Sequence, residues 1–529
     1  MSFASPLPDV EIPSVSVYEF LFGQITLEDL EKSALINGNT GSAITYGELI
    51  RQVDAIAGSL SQRGLGLGDV VGLFSPNSPS FAAAFHGILR AGGTATTINA
   101  LYNAHEIAKQ LRDSKATFLM TAAELLPQAH IAAVAVGIPE ANIIVLDAGP
   151  GNPGAKFVTL LNLIAEGRPA PEITFDPTTH IAVLPYSSGT TGNPKGVMLT
   201  HYNLVANVQQ TQPLIKINRD DCLPAVLPLF HIYGLTVLLN SALHVRATLV
   251  TLSKFELSKF LQIIESCKCT YLFIAPPVAL ALAKQPSIDE YDLSSVRVVF
   301  SGAAPLGPDL ALSVAQRLHC QVLQGFGMSE LSPVSHATPL DVDDIAPGSV
   351  GLPVPNTVNK IVDPSSGEEI EVPSEGVSEP GELWVKGPNV MLGYLNNVTA
   401  TEETLDEEGY LHTGDLATVD SCGVVTIVDR LKELIKYKGY QVPPAELETL
   451  LLRHTQIADA AVIGVFDEDG EEVPTAFVVK HSTASLTEQD VIDFVAAHVA
   501  PYKKVRQVEF ISSVPKSAAG KILRRQLRV

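Results

Sequence analysis

Short apolar runs rich in Val and Ile recur along most of this 529-residue chain, and longer amphipathic stretches separate them. The runs include Val70–Phe74, Ile143–Leu146, Ile181–Tyr186, Tyr271–Ile274 and Val296–Phe300; the amphipathic stretches include Glu48–Arg63, Glu106–Arg112 and Asp309–Leu318. A run that is apolar throughout is buried on both faces, which suits a strand of a parallel sheet covered by helices. The alternation predicts an α/β fold: a large multi-subdomain N-terminal region with largely parallel sheets, reaching about Val428 and dividing near Ala170 and Pro355. Pro364–Glu382 is polar and rich in Gly, Pro and Glu, so it reads as a surface excursion, and Leu383–Val385 resumes a strand pattern.

The last hundred residues change character. Glu446–His454 reads as a helix and Ala460–Val465 and Thr475–Val479 as strands, while Ser485-x-x-Glu488 has the form of a capping box opening a helix over Val491–Val499. These elements suffice for a small α+β C-terminal domain. Lys503–Arg528 holds eight basic residues and one acidic. It is either a solvated helix face or a cap offered to a polyanion such as a nucleotide triphosphate.

Composition narrows the function classes. With 35 Lys and Arg against 57 Asp and Glu the net charge is −22, so neither nucleic acid nor an anionic membrane is expected as the main partner. Five cysteines are too few, and odd in number, for a disulfide scaffold; Cys267-x-Cys269 lacks both the spacing and the second pair of a zinc site. Cys222, Cys267, Cys269, Cys320 and Cys422 are therefore expected as buried thiols. Cys222–Val245 is apolar but carries two Pro, a Gly, two His and an Asn, so a buried strand and helix is expected and not a membrane span. No Lys or Arg precedes Lys32, and the chain ends Leu527-Arg528-Val529, which is not a peroxisomal tail. A cytoplasmic location is the expectation.

The most informative stretch is Tyr186–Gly196, which follows an apolar strand and gathers three Gly, four Ser/Thr hydroxyls and Lys195. Glycines let backbone approach a ligand closely, exposed N–H groups and hydroxyls bind phosphate oxygens, and the lysine adds charge. The Gly-Lys-[Ser/Thr] ending of a Walker A loop is missing, since Gly196 follows Lys195.

Ser187–Gly196 matches throughout the signature loop Ser-Ser-Gly-Thr-Thr-Gly-x-Pro-Lys-Gly, and here the chain resembles the adenylate-forming superfamily. Further matches follow in order over nearly the whole chain. Ser301–Pro305 is similar to the family's adenine-contacting turn, and Gln324-Gly325-Phe326-Gly327-Met328-Ser329-Glu330 to its Gln-Gly-Tyr-Gly-Met-Thr-Glu motif. Tyr410–Asp415 and Asp429–Glu433 resemble the rest of the nucleotide site, and Pro515–Lys521 the catalytic-lysine motif.

The resemblance implies an N-terminal adenylation domain over residues 1–428, a hinge over 429–433 and a mobile cap over 434–529. It implies two half-reactions: a carboxylate attacks the α-phosphate of ATP to give an acyl-adenylate and pyrophosphate, then a thiol displaces AMP. ATP contacts are expected at Ser187, Ser188, Gly189, Thr190, Thr191, Lys195, Gly302, Ala303, Ala304, Gln324, Gly325, Phe326, Gly327, Ser329, Asp415, Arg430 and Lys432. Phe326 suits stacking on adenine, the Ser329 hydroxyl the α-phosphate, and the Asp415 carboxylate a ribose diol with Arg430 assisting. Glu330 is a hard oxygen ligand suited to Mg²⁺ bridging phosphates. Lys521 would stabilise the charge that builds at the α-phosphorus. Rotation about Lys432 would then present a second face with the catalytic candidates Lys436 and Gln441 and the CoA contacts Lys438 and Gly439.

Leu229–Gly234 narrows the branch. Amino-acid-activating relatives place an Asp where this chain has His231, whereas Phe230-His231-Ile232-Tyr233 is similar to 4-coumarate–CoA ligases and related aryl- and acyl-CoA synthetases, as are Gly381–Gly387 and Met391–Leu395. His231 would lie between carboxylate and thiol. By the same comparison Tyr233, Val237, Phe300, Ala303, Gly325, Gly327, Pro333 and Val334 form the acyl pocket, whose small and apolar groups suit a flat ring or slim chain. The expected protein is an ATP-, Mg²⁺- and CoA-dependent aryl-acid ligase, acting as monomer or homodimer. A fatty-acyl-CoA synthetase, a carrier-protein acceptor, a P-loop NTPase or kinase and a non-catalytic nucleotide-binding relative are the alternatives.

Overall fold

The computed structural model describes residues 2–147, 157–187, 194–342, 345–438, 440–466, 472–482 and 484–527. Among these, the apolar runs become strands at the expected places. Val70–Phe74 sits inside a nine-stranded sheet between Thr94–Ile98 and Phe118–Thr121, all parallel, and every residue of Thr94–Ile98 and Phe118–Thr121 is buried. Ile143–Val145 and Val158–Thr159 extend one edge in parallel. Ile181–Val183, Lys195–Thr200 and Tyr186–Ser187 complete the other edge, the last two as an antiparallel hairpin. The chain beyond 170 thus returns to the first sheet, because Ala95 and Val183 pair directly, and no layer boundary falls at Ala170.

A second sheet carries Tyr271–Ile274, Val298–Ser301 and Gln321–Gly327 in parallel, followed by Val334–Ala337 and Leu352–Pro353 in antiparallel order. A third pairs Cys222–Ala225, Thr248–Thr251 and Ser33–Asn37. Beyond Pro355 the character changes as expected. Val358–Val362, Gly381–Lys386, Leu411–Val419 and Val425–Arg430 form an antiparallel sheet over a separate core around Leu383, Leu411 and Val425. The polar 364–382 stretch is largely exposed and adds one short strand, Glu369–Ile370.

Helices cover the parallel sheets with ends written in the sequence. Tyr46–Gln62 begins at a capping box in which the Thr45 hydroxyl accepts from the Glu48 N–H and the Glu48 carboxylate accepts from Thr45, an arrangement worth ~1 kcal/mol. Helix His201–Ile215 is buried along most of its length and carries amides into the core. Asn207 donates to the Val334 carbonyl at 2.7 Å and accepts from its N–H at 3.1 Å, while Gln210 donates to Pro355 O at 2.8 Å. Unpaired, such amides would each cost a few kcal/mol; paired, they fix the strand that follows Glu330.

Cys222–Val245 is buried, as expected, but after the strand its helix is wide: Tyr233–Asn240 winds as a π-helix and Ser241–His244 as a short α-helix. Of the thiols, only Cys269 is fully buried; Cys222, Cys267 and Cys320 are half-buried and Cys422 is exposed in a turn, so burial was over-assigned. No described helix is long and apolar enough to cross a membrane.

The last hundred residues fold around a core of their own, including Leu447, Leu451, Val462, Val478, Val491 and Val505. It holds helix Pro444–Leu451, the sheet Ile457–Phe466, Glu472–Lys480 and Gln507–Phe510, helix Glu488–Ala496 and the hairpin Ile435–Tyr437 with Tyr440–Val442. The cap of the second helix is Thr487 with Asp490, not Ser485 with Glu488, because Glu488 is the first helical residue and Thr487 the residue before it. Among the described residues the basic Lys503–Arg528 run forms no long helix. It is divided among a turn at Pro501–Lys503, the strand Gln507–Phe510 and a turn at Arg524–Gln526, so a solvated helix face is excluded.

Candidate active site

Where the small C-terminal unit meets the rest of the chain, a cavity of about 940 Å³ opens between them. Ala303, Ala304, Gln324, Gly325, Phe326, Gly327, Asp415, Arg430 and Lys521 all line it. These residues come from four segments of the large region, the 303–304 turn, the 324–327 strand end and the two strands bearing Asp415 and Arg430, and from one turn of the small one. The turn after Val298–Ser301 is held open by Ala303 at φ 72°, a left-handed conformation unusual for a residue with a Cβ. Two glycines are required by close approach: a Cβ on Gly302 would stand 2.8 Å from the Tyr233 hydroxyl, and one on Gly325 2.6 Å from Phe300 Cζ.

Asp415 and Arg430 face each other across an antiparallel pair, with Arg430 Nε 3.3 Å from Asp415 Oδ1. Burial raises the Asp415 pKa to about 6, against the pull of Arg430 and Lys521. Lys521 sits on a tight turn whose ends are tied by Ser517 N–H to Lys521 O at 2.7 Å and Leu523 N–H to Pro515 O at 2.8 Å. Its pKa is lowered to about 8, first by burial and then by Arg430, with Glu433 and Asp415 opposing. A half-buried cation beside a buried carboxylate, both with pKa values moved towards neutrality, is a typical signature of a functional site.

Ser187 and Lys195 are paired in register across their hairpin, and Lys195 Nζ lies 4.6 Å from the centre of the Tyr394 ring. The Tyr394 hydroxyl donates to Glu330 Oε1 at 2.8 Å, and Met391 N–H to Glu330 O at 2.9 Å. Lys195, Tyr394 and Glu330 therefore form one cluster on the 3₁₀ turn Ser329–Leu331. Ser188, Gly189, Thr190 and Thr191 lie outside the described residues, as does Gly439. No group of three or more His, Cys, Asp or Glu that could hold a metal ion occurs among the described residues. One buried carboxylate nonetheless fits Mg²⁺, which takes one or two protein carboxylates and fills its shell with phosphate oxygens and water.

Not every expected residue reaches the cavity. Lys432 lies exposed on the turn between Val425–Arg430 and Ile435–Tyr437, away from the cavity lining. Ser329 is half-buried beside it without lining it. Of the expected acyl pocket, Ala303, Gly325 and Gly327 line the cavity, whereas Tyr233, Val237, Phe300, Pro333 and Val334 are packed behind it. The packing is aromatic: Phe273 lies 5.3 Å from Phe300, 6.4 Å edge-on from Tyr233 and 4.8 Å stacked on Tyr271. The Tyr233 and Tyr271 hydroxyls are buried without a partner among the described residues. His231 opens the π-helix, its Nδ1 accepting from Tyr233 N–H at 3.3 Å; burial lowers its pKa to about 4, so it is neutral at pH 7. Lys436, Lys438 and Gln441 are exposed on the 435–442 hairpin and do not line the cavity.

Sequence reading gave no role to Tyr394, Asp429, Glu433, Glu448 or Arg524, of which the last four line the cavity. Tyr394, Asp429 and Glu433 lay inside stretches that carry the resemblance, and Arg524 in the basic run. Glu448 had no local signal, because its partners are distant in sequence.

A body of parallel sheets, a small α+β unit closing over it and a lysine delivered to a buried carboxylate define an adenylate-forming architecture. The chain belongs to the AMP-binding enzyme family: the model of the AMP-binding enzyme matches residues 26–395, and that of the AMP-binding enzyme C-terminal domain matches 446–521. It is 40% identical to 4-coumarate–CoA ligase 1 of Arabidopsis thaliana, over 99% of this chain and 94% of that one. It is 41% identical to 4-coumarate–CoA ligase 2 of Nicotiana tabacum, over 99% and 96%. Among solved structures, ATP-bound MatB from Rhodopseudomonas palustris superposes with a TM-score of 0.87 at 29% identity, covering 98% of each chain. The anthranilate CoA ligase AuaEII with anthranoyl-AMP gives 0.88 at 25%, covering 98% of this chain and 97% of that one. A benzoate CoA ligase from Burkholderia xenovorans LB400 gives 0.86 at 25%, covering 97% and 100%.

Proposed function

We infer that the protein is an AMP-forming aryl-acid–CoA ligase, with ATP, Mg²⁺ and CoA beside a carboxylic acid of the hydroxycinnamate or benzoate class. The observation that carries the reading is Lys521, half-buried in one cavity with Asp415, Arg430 and the 324–327 strand end. In the first half-reaction the acid's carboxylate oxygen attacks the α-phosphorus, the bond to pyrophosphate breaks, and Lys521 meets the growing negative charge. Such a preorganised contact is worth about 3–4 kcal/mol. Asp415 accepts from the ribose hydroxyls, Phe326 stacks on adenine, and the Lys195 loop holds the outer phosphates. Glu330 would hold Mg²⁺, which supplies charge neutralisation at the phosphates when bound.

In the second half-reaction the CoA thiolate attacks the acyl carbon and AMP leaves. We propose that the 434–529 unit turns about 429–433 for this step, bringing Lys436, Lys438, Gly439 and Gln441 towards the thiol while neutral His231 orients the reacting groups. The relatives named 4-coumarate–CoA ligase and the neighbouring anthranilate and benzoate ligases support an aromatic acid. So do the Tyr233, Phe273 and Phe300 rings packed behind the cavity, with the Tyr233 hydroxyl unpartnered among the described residues. A cytoplasmic location and a monomeric or homodimeric state complete the reading.

The test is pyrophosphate release and thioester formation across cinnamates, benzoates and medium-chain fatty acids, with ATP, Mg²⁺ and CoA. The expected result is a preference for aromatic acids, with Phe300→Ala moving it towards bulkier rings by about 1–3 kcal/mol in kcat/KM. A preference for aliphatic acids would contradict the aryl reading, and pyrophosphate without thioester would contradict CoA as acceptor.

A further inference from the structure

Three residues beyond Lys521, Arg524 is buried in a cluster of carboxylates that no described step uses. Its Nη1 and Nη2 donate to Glu448 Oε1 and Oε2 at 2.7 and 3.1 Å, and its Nε lies 2.8 Å from Glu433 Oε2. Glu448 is itself fixed: it projects from helix Pro444–Leu451 and accepts from Val462 N–H at 2.8 Å, which joins it to the strand Ile457–Phe466. Glu433 belongs to the turn that leaves the Arg430 strand, and Asp429 at that strand's end accepts from Ala445 N–H at 2.9 Å at the start of the same helix. A planar guanidinium forked onto one carboxylate and flanked by a second is restrained in position and orientation.

The 515–523 turn is closed by its own backbone hydrogen bonds, and Val514, Ile522 and Leu527 anchor its flanks in a small core with Ala461, Ile463 and Phe477. Ala275 and Pro277 of the large region lie close to Gly520, and Lys516 pairs with Asp459 at 2.6 Å inside the small unit. To these Arg524 adds a charged tie from the far end of the turn both to the helix and to the segment leading from Arg430.

We propose that Arg524 is a positioning residue for Lys521: clamped by Glu448 and Glu433, it fixes the Lys521–Arg524 segment so that the lysine ammonium meets the α-phosphate. The proposal rests on Lys521 acting in acyl-adenylate formation. Burial lowers the Lys521 pKa most; among the charged groups acting on it, Arg430 and Arg524 lower it further, and Glu433 and Asp415 raise it. Removing Arg524 therefore moves the alkaline limb of adenylation to higher pH, and removing the Glu433 charge moves it to lower pH. Loss of packing alone would not shift the two in opposite directions.

The experiment measures ATP–pyrophosphate exchange against pH with the best acid of an aromatic panel, and thioester formation from supplied acyl-adenylate and CoA. The enzymes are wild type, Lys521→Ala, Arg524→Gln, Arg524→Lys and Glu433→Gln. Arg524→Gln should lower kcat for exchange about tenfold, with KM for ATP nearly unchanged, as a slightly misplaced catalytic group does. Its alkaline limb should rise, that of Glu433→Gln should fall, and Arg524→Lys should keep the wild-type limb at a reduced rate. Thioester formation from supplied adenylate should persist in all of them. If Arg524→Gln fails to fold, Glu433→Gln and Arg524→Lys decide the matter by the same limbs. Unshifted limbs, or equal loss in both half-reactions, would overturn the proposal while leaving Lys521 in place. Full exchange by Lys521→Ala would overturn the underlying reading and the proposal with it.

Discussion

The small C-terminal unit carries lysines on two faces, and their surroundings could hardly differ more. Lys521 is half-buried beside Asp415 and Arg430, with its pKa brought down to about 8. Lys436 and Lys438, on the 435–442 hairpin, stand in solvent outside the cavity. A lysine is taken out of water, against a cost of several kcal/mol, only where neighbouring charge and a ligand offset it. The inward face is thus suited to a polyanion in the arrangement observed, and under the proposed rotation the outward face would serve in another. Several contacts bridge the two parts: an exposed Arg453–Asp309 pair at 2.5 Å, which as a surface ion pair contributes at most about 1 kcal/mol, Ala445 N–H donating to Asp429 at 2.9 Å, and Gly520 against Ala275 and Pro277. The proposed rotation would have to break these contacts.

The largest expected effect breaks the inward face. Lys521→Ala should lower pyrophosphate exchange by about a hundred- to a thousandfold and leave thioester formation from supplied adenylate near wild type. Equal loss in both would remove the distinction between the faces. Next comes pH. On the proposed roles, adenylation would need ionised Asp415, whose pKa is raised to about 6, and protonated Lys521, whose pKa is lowered to about 8. Exchange should therefore fall as pH drops through 6 and again as it rises through 8, losing about tenfold one unit beyond either limb. Thioester formation from adenylate should lack the alkaline limb, and an identical profile for both half-reactions would contradict this. A smaller effect is expected on the outward face. Lys436→Ala and Gln441→Ala should each slow thioester formation several-fold and leave exchange intact, read in single-turnover assays. The smallest is a control on the fold: Thr487→Ala removes a helix cap and should cost about 1 kcal/mol of stability, visible in denaturant unfolding, without separating the half-reactions.

Much of this contrast was legible in the sequence. Strands such as Tyr271–Ile274 could be placed to the residue, because a continuous apolar run bounded by polar positions leaves few options. The inward site was legible too, since Lys521, Asp415 and Phe326 each stand in a motif with its own local pattern. What escaped were relations between distant segments. Glu448 and Arg524 are 76 positions apart, and no local pattern says that they fork onto each other. Tyr394 was visible only as part of a family-like stretch, and its hydrogen bond to Glu330 arises where strand Gly393–Tyr394 pairs with Lys195–Thr200. The Ser485 cap failed for a simpler reason: two hydroxyl residues two positions apart both precede a carboxylate at the right spacing, and helix packing selected Thr487. Of the two readings open for the basic tail, the helix face fails because its charges are spent one by one, on Glu446, Asp459, Glu448 and the cavity.

The central claim is that the observed arrangement serves acyl-adenylate formation only and must open before CoA is used. Cysteines placed at Asp309 and Arg453, joined by a short cleavable crosslinker, would hold the small unit where it stands. The locked enzyme should release one burst of pyrophosphate with ATP and acid and form no thioester with CoA, and cleaving the linker should restore turnover. A locked enzyme that made thioester at the unlocked rate would contradict the account.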